Sequence, residues 1–424
     1  MSGYLLVRGA RQLLTLRGPS EPRRGSFLAD LGLVEDGAVL IRDGVIVCVG
    51  PTRRLENLRE ARQAELLDVS GKVVLPGFVD SHTRLVSGPL RMTEYEMRVA
   101  GASPAEIERS GGGPPARARA LRESSTRRLE LFARRRLPHL IRHGTTTLEI
   151  ESGYGCDEAT ELRILKAAAA LDASPVDVVP VLATPLATPP GCAADDGCYE
   201  ELLCSRLLPL VQRRRLARFV RLGVGPCLSL EQLPHVAEQA TRLGIGVKVL
   251  AGLVPGDGAV RVAVQLGALS VEGLRFLDEE DITALAGSAT VATLLPATAF
   301  EQGWQPYPPA RALIEAGAAV ALASGFDPDA SPACSLPVAI SLACSQMRMS
   351  PAEAIVAATI NGAHALGLAD RVGSIEPGKQ ADLVVFDVAD YREIPYHFGL
   401  NLVSMVLKRG AVLYQQGEIL WEPD

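Results

Sequence analysis

Val73-Val74-Leu75-Pro76-Gly77-Phe78-Val79-Asp80-Ser81-His82-Thr83-Arg84 is the stretch whose reading decides the fold. Its first seven residues are apolar with no polar alternation, the pattern of a strand buried on both faces. Polar residues begin where the run ends. Seven similar runs follow at Thr145–Ile150, Val176–Ala183, Phe219–Val224, Gly246–Leu250, Ala268–Val271, Thr290–Pro296 and Ala319–Ala323, with helix-length segments between them. Eight buried runs alternating with helices predict an α/β chain with a parallel (β/α)8 barrel of the TIM type. In such a barrel the residues just after each strand carry the chemistry, so the site can be sought at those positions.

Both ends of the chain read differently. Gly37–Arg42 and Val45–Gly50 flank the turn Asp43-Gly44, a strong hairpin signal. Asp382–Asp387, Val403–Leu407 and Ala411–Tyr414 are again strand-like. The expected organisation is therefore residues 1–72 and 373–424 forming one small β domain around a barrel at 73–372. Ser350-Pro351-Ala352-Glu353 is a capping box that opens one of the late helices.

A net charge of −6 argues against a nucleic-acid binder. Arg8 and Arg11 interrupt the apolar N-terminal run, so no membrane segment is expected and the chain reads as cytoplasmic. Eight scattered cysteines without a CxxC pair are expected to be reduced. Of six histidines, only His82 follows a strand; His139, His143, His235, His364 and His397 read as surface or packing residues. Ten arginines lie within residues 109–142, a candidate surface for a protein partner.

Pro76-Gly77-Phe78-Val79-Asp80-Ser81-His82-Thr83-Arg84 resembles the strand-one PGFVDxHxH signature of the amidohydrolase superfamily, whose two histidines bind a metal. The segment Gly373–Asp387 resembles the closing signature of that superfamily. Glu151-Ser152-Gly153-Tyr154-Gly155, Thr290–Pro296 and Pro395-Tyr396-His397-Phe398-Gly399 resemble its imidazolonepropionase branch. The resemblance extends from about residue 30 to residue 415. It implies a metallo-dependent-hydrolase barrel, a homodimer, and hydrolysis of the imidazolone ring in histidine breakdown with one zinc or iron ion.

The departures from that pattern concern the metal. A divalent ion that activates water needs three or four ligands at about 2 Å. The resemblance places them at His82, Arg84, Leu250 and Gly325, of which His82 alone is a ligand type. A guanidinium keeps its charge and repels a cation. Leu253, Gly273, Leu186, Val224 and Gly225 stand where the relatives carry catalytic helpers. The expectation is a metal-free pseudoenzyme without cofactor or catalytic residue, acting as a partner, a regulator or a binder of a small organic anion. Arg84, Arg91 and Tyr154 are its candidate substrate- or anion-binding residues. Arg84 should face the barrel mouth and pair with Glu149, Glu151, Glu272 or Asp327. Pro114-Pro115 after Gly111-Gly112-Gly113 suggests a loop that no longer closes over substrate. Two other readings stay open. One is a hydrolase of cyclic amide or amidine C–N bonds that uses His82, Asp327, Glu272 or Ser324 without a metal; the other is a metallohydrolase with an unusual ligand set.

Overall fold

The computed structural model describes residues 3–171, 174–185, 197–225 and 227–421. The terminal segments supply β1 (Tyr4–Leu14), β2 (Leu33–Arg42), β3 (Val45–Pro51), β4 (Glu65–Asp68) and β5 (Val73–Pro76). The barrel strands are β6 (Phe78–Asp80), β7 (Thr145–Glu151), β8 (Asp177–Ala183), β9 (Phe219–Gly223), β10 (Gly246–Ala251), β11 (Ser270–Gly273), β12 (Val291–Leu294) and β13 (Ala319–Leu322). The chain closes with β14 (Leu383–Phe386), β15 (Val403–Lys408), β16 (Ala411–Gln415) and β17 (Glu418–Ile419).

β6 to β13 pair in sequence order, each with its neighbour in parallel. At the seam, Thr83 bridges Phe326, the Arg84 amide donates to the Phe326 carbonyl at 2.7 Å, and the Ser324 amide donates to Asp80 Oδ1 at 2.9 Å. Burial lifts the Asp80 carboxyl to about 6, against the pull of its Ser324 hydrogen bonds. The other nine strands form one sheet in the order β17-β16-β15-β14-β5-β1-β2-β3, with β4 beside β1. The architecture is a TIM-type barrel with a small β domain built from both termini.

One expected strand is two. Val73–Pro76 pairs with β1 and β14 in the terminal sheet, and Phe78–Asp80 alone enters the barrel. Gly77 is the joint: its amide donates to the Asp382 carbonyl at 2.9 Å, and a Cβ there would lie 2.2 Å from Thr146 Oγ1. The Asp43-Gly44 hairpin forms as read, with φ of 51° and 79°, the left-handed pair that a two-residue turn requires. The Ser350–Glu353 capping box is closed in both directions, at 2.7 and 3.3 Å.

Strand parity sorts the barrel residues. Leu148, Ile150, Val220, Leu222, Val249, Val271, Leu294 and Val320 join the helices in the main apolar cluster. Their neighbours point into the barrel. At the N-terminal ends of the strands the interior is apolar, with Val79, Val179, Val181 and Phe219 packed against Ala363 and Leu366 of the late Ile360–Ala365 helix region. Toward the C-terminal ends it is charged. Within the arginine-rich segment, Arg136 donates to the carbonyls of Leu85, Ser87 and Gly88, and Arg134 pairs with Glu130, while Arg127, Arg128 and Arg135 are exposed. Among the described cysteines, Cys198 is disulfide-bonded, against the expectation of reduced thiols, while Cys48, Cys204, Cys334 and Cys344 are free thiols. No helix among the described residues is long and apolar enough to cross a membrane.

His364 sits in the Ile360–Ala365 helix with a buried Nε2 that has no hydrogen-bond partner. Burial, then Arg23 and Lys379, push its pKa down to about 4. A histidine that is neutral when folded contributes stability above the unfolded value near 6.5, and that stability is lost as pH falls toward 4. Unfolding free energy should therefore drop by about 2–3 kcal/mol more between pH 8 and pH 4.5 in the wild type than in His364→Gln. Parallel slopes for the two proteins in urea titrations would refute this assignment.

Candidate active site

The charged layer is built from alternate residues of four strands and the end of β6. Glu149 and Glu151 on β7, Arg221 on β9, Lys248 on β10 and Glu272 on β11 are all at most 1% exposed. Lys248 Nζ pairs with both Glu149 and Glu272 and donates to the Ser81 carbonyl at 3.1 Å. Glu151 accepts Arg221 Nε at 2.8 Å, Arg221 Nη2 at 3.1 Å and Arg84 Nε at 3.0 Å. His82 Nδ1 lies 2.8 Å from Glu272, 3.5 Å from Glu151 and 3.9 Å from Glu149.

Three carboxylates thus face three permanent cations, and each titrates according to its neighbours. Burial raises Glu149 well above the usual carboxylate range; Lys248 opposes this, and Glu272 and Glu151 add to it. Glu151 and Glu272 are buried as deeply, yet their cations win. Arg221, His82 and Arg84 hold Glu151 below the usual range, and Lys248 and His82 do the same for Glu272. Lys248 is itself raised: burial would lower it, but Glu149 and Glu272 outweigh that.

Above this layer opens a cavity of about 690 Å³, lined by His82, Arg84, Arg117, Tyr154, Asp327, Leu250, Leu253, Gly273 and Gly325 among others. Arg84 faces inward as expected and pairs with Glu151. Its guanidinium stacks 4.4 Å from the Tyr154 ring centre, and the Tyr154 hydroxyl donates to Asp327. Arg91 is placed elsewhere: it pairs with Glu94 and lines a separate small pocket beside Gly88 and Asp329. Gly113 and Pro114 line the mouth because the prolines start the helix Gly113–Arg122, so the glycine segment does reach the cavity. Leu250 and Gly325 also line it, whereas Leu186 lies outside the described residues.

A parallel eight-stranded barrel with a flanking terminal sheet, and with histidine and carboxylates gathered near the strand ends, defines an amidohydrolase-type protein. Residues 280–413 match the model of the amidohydrolase family. The chain is 41% identical to the imidazolonepropionase of Geobacillus kaustophilus (strain HTA426), over 98% of this chain and 99% of that one. It is 39% identical to the imidazolonepropionase of Solibacter usitatus (strain Ellin6076), over 96% and 97% of the two chains. The chain belongs to the imidazolonepropionase family. Among solved structures, atrazine chlorohydrolase TrzN from Arthrobacter aurescens TC1, complexed with zinc, shares the fold at a TM-score of 0.72 and 18% identity, covering 99% and 97%. E. coli guanine deaminase does so at 0.69 and 17%, covering 98% and 100%.

The expectation of a centre stripped of ligands and cofactor is corrected by this geometry. Although Arg84, Leu250 and Gly325 take the places of three ligands, donors arrive from other strands. His82, Glu149, Glu151 and Glu272 bring ligand atoms within 4.8 Å of one another, and a fold neighbour carries zinc. Imidazole with carboxylate oxygens suits a divalent ion, and Glu149 Oε1 has no hydrogen-bond partner. The donor set fits a metal. The chain is a hydrolase by ancestry.

From sequence, Glu149, Glu151 and Glu272 read singly, as partners for Arg84 or as a catalytic group, and Lys248 and Arg221 carry no assigned role. The available signal was charge inside otherwise apolar strands: Val220-Arg221-Leu222 and Val247-Lys248-Val249 each place one ion at the inward parity. None of the other five histidines lines the cavity or joins the cluster.

Proposed function

We propose that the chain hydrolyses a C–N bond of a small cyclic amide or amidine, with imidazolonepropionate as the first substrate to test. The observation that supports this most is 41% identity along essentially the whole chain to an imidazolonepropionase. His82, Glu149 and Glu272 are the residues that would hold a divalent ion, in exchange for the Lys248 ammonium that pairs with both carboxylates, since Glu151 is committed to Arg84 and Arg221. Such an ion would supply Lewis acidity beneath the cavity. The remaining work falls to side chains of the mouth. Asp327 presents a carboxylate to the cavity, fixed by the Tyr154 hydroxyl, and is placed to take a proton from water there. Leu250, Leu253, Leu295 and Trp304 form apolar walls that restrict solvent around the ring.

Protein supplied separately with zinc, iron(II) and manganese(II) should consume imidazolonepropionate, followed by loss of its ultraviolet absorbance. His82→Ala and Asp327→Asn should each abolish the turnover. No turnover with any of the three ions would overturn the reading.

A further inference from the structure

The helix Thr126–Arg142 buries Leu129, Ala133, Leu137, Leu140 and Ile141 in the main apolar cluster. Its opposite face is a single stripe. Arg127, Arg128, Leu131, Arg135 and His139 are exposed, and at 3.6 residues per turn they share about a third of the helix circumference over about 18 Å. Neighbouring arginines are engaged within the fold: Arg122 pairs with Asp157, Arg134 with Glu130, and Arg136 donates to the carbonyls of Leu85, Ser87 and Gly88. The stripe has no such partners. Among the described residues no carboxylate pairs with Arg127, Arg128 or Arg135, and Glu130 is the helix's one acidic residue. The stripe also works against its own helix. Arg127 and Arg128 stand in the first turn, where the positive end of the helix dipole favours carboxylates and none is present. In a chain of net charge −6, this is a local excess of cation that the fold does not use.

We propose that this stripe docks an acidic amphipathic helix of a partner protein, whose carboxylates, one turn apart, face Arg127, Arg128 and Arg135 while an apolar residue seats on Leu131. Cations repeated at helical spacing are matched along their whole length by a partner whose side chains recur at the same rise. Leu131, 46% exposed, gives the face an apolar centre, and the guanidiniums around it give a charged rim that orients the partner. The inference concerns the outer surface of the barrel and does not rest on the hydrolase reading.

The probe is a fluorescein-labelled, alanine-based helical peptide with glutamates one turn apart on either side of a central leucine, titrated with the full-length protein and followed by anisotropy. Binding should saturate, and it should weaken as sodium chloride is raised from about 50 to about 300 mM. The double variant Arg127→Glu/Arg135→Glu should bind about tenfold more weakly or worse, since like charges then face each other. Its melting temperature should stay level or rise, because a carboxylate in the first turn suits the helix dipole. Leu131→Ser should weaken binding severalfold and leave the salt dependence intact. Peptides with glutamine for glutamate, or with the same residues scrambled, should bind about tenfold more weakly or worse. No binding of the glutamate peptide, equal binding of the scrambled one, or unchanged affinity in the double variant would overturn the proposal. Tighter binding of a DNA duplex would do the same. Protein dimers in sedimentation that the double variant dissolves would also overturn it, by making this face a contact between copies. A double variant that no longer folds would make the arginines structural and refute it as well.

Discussion

Lys248→Met is expected to lower the unfolding free energy by about 3–5 kcal/mol, the usual penalty for removing one partner of a buried ion pair. The ammonium is fully buried and is the shared partner of Glu149 and Glu272. Methionine nearly matches its length, so packing changes little and the loss is electrostatic. Two carboxylates are then left facing each other, with His82 as the remaining neighbour of Glu272. That arrangement should take up a divalent cation more readily than the wild type, in which Lys248 competes for the same oxygens. A stabilisation of about 2.7 kcal/mol corresponds to a ligand at a hundred times its dissociation constant. Urea titrations with and without zinc should therefore show a larger metal effect in Lys248→Met than in the wild type. A variant as stable as wild type, or one indifferent to zinc, would show that Lys248 does not occupy the position a metal would take.

Glu151→Leu should be nearly as damaging, again about 3–5 kcal/mol. Glu151 is the hydrogen-bonded carboxylate partner of Arg221, which is fully buried, and of Arg84. Without it two guanidiniums face each other in the barrel interior, and neither can lose its charge. Glu151→Gln keeps the shape and one acceptor oxygen and should cost less. The double variant Glu151→Leu/Arg221→Leu removes one orphaned cation together with the anion, and should recover part of the loss. Thermal melts of the three variants check the order. A Glu151→Leu protein that melts with the wild type would mean that water or a bound anion already screens these arginines.

Much of the architecture was legible because its signals are local. Apolar runs without alternation marked the parallel strands, Asp43-Gly44 marked a turn that needs two left-handed residues, and Ser350 with Glu353 marked a helix start. Each depends on neighbours a few residues apart, so the chain states it directly. The likeness at Pro76–His82 and Gly373–Asp387 likewise pointed to the family.

Tertiary structure decided which side chains meet. Val73–Asp80 reads as one run, yet it divides at Gly77, because Thr146 from β7 leaves no room for a Cβ and Asp382 takes the amide. Arg84 and Arg91 look alike in sequence; the first stacks on Tyr154 inside the mouth, the second turns away to Glu94. His82 alone is a ligand type at the family's four ligand positions, whereas the barrel adds carboxylates from β7 and β11. Parity along one strand tells which residues face inward, but the stagger between strands sets which of them share a layer. That stagger belongs to the closed barrel, and no single segment of the sequence encodes it.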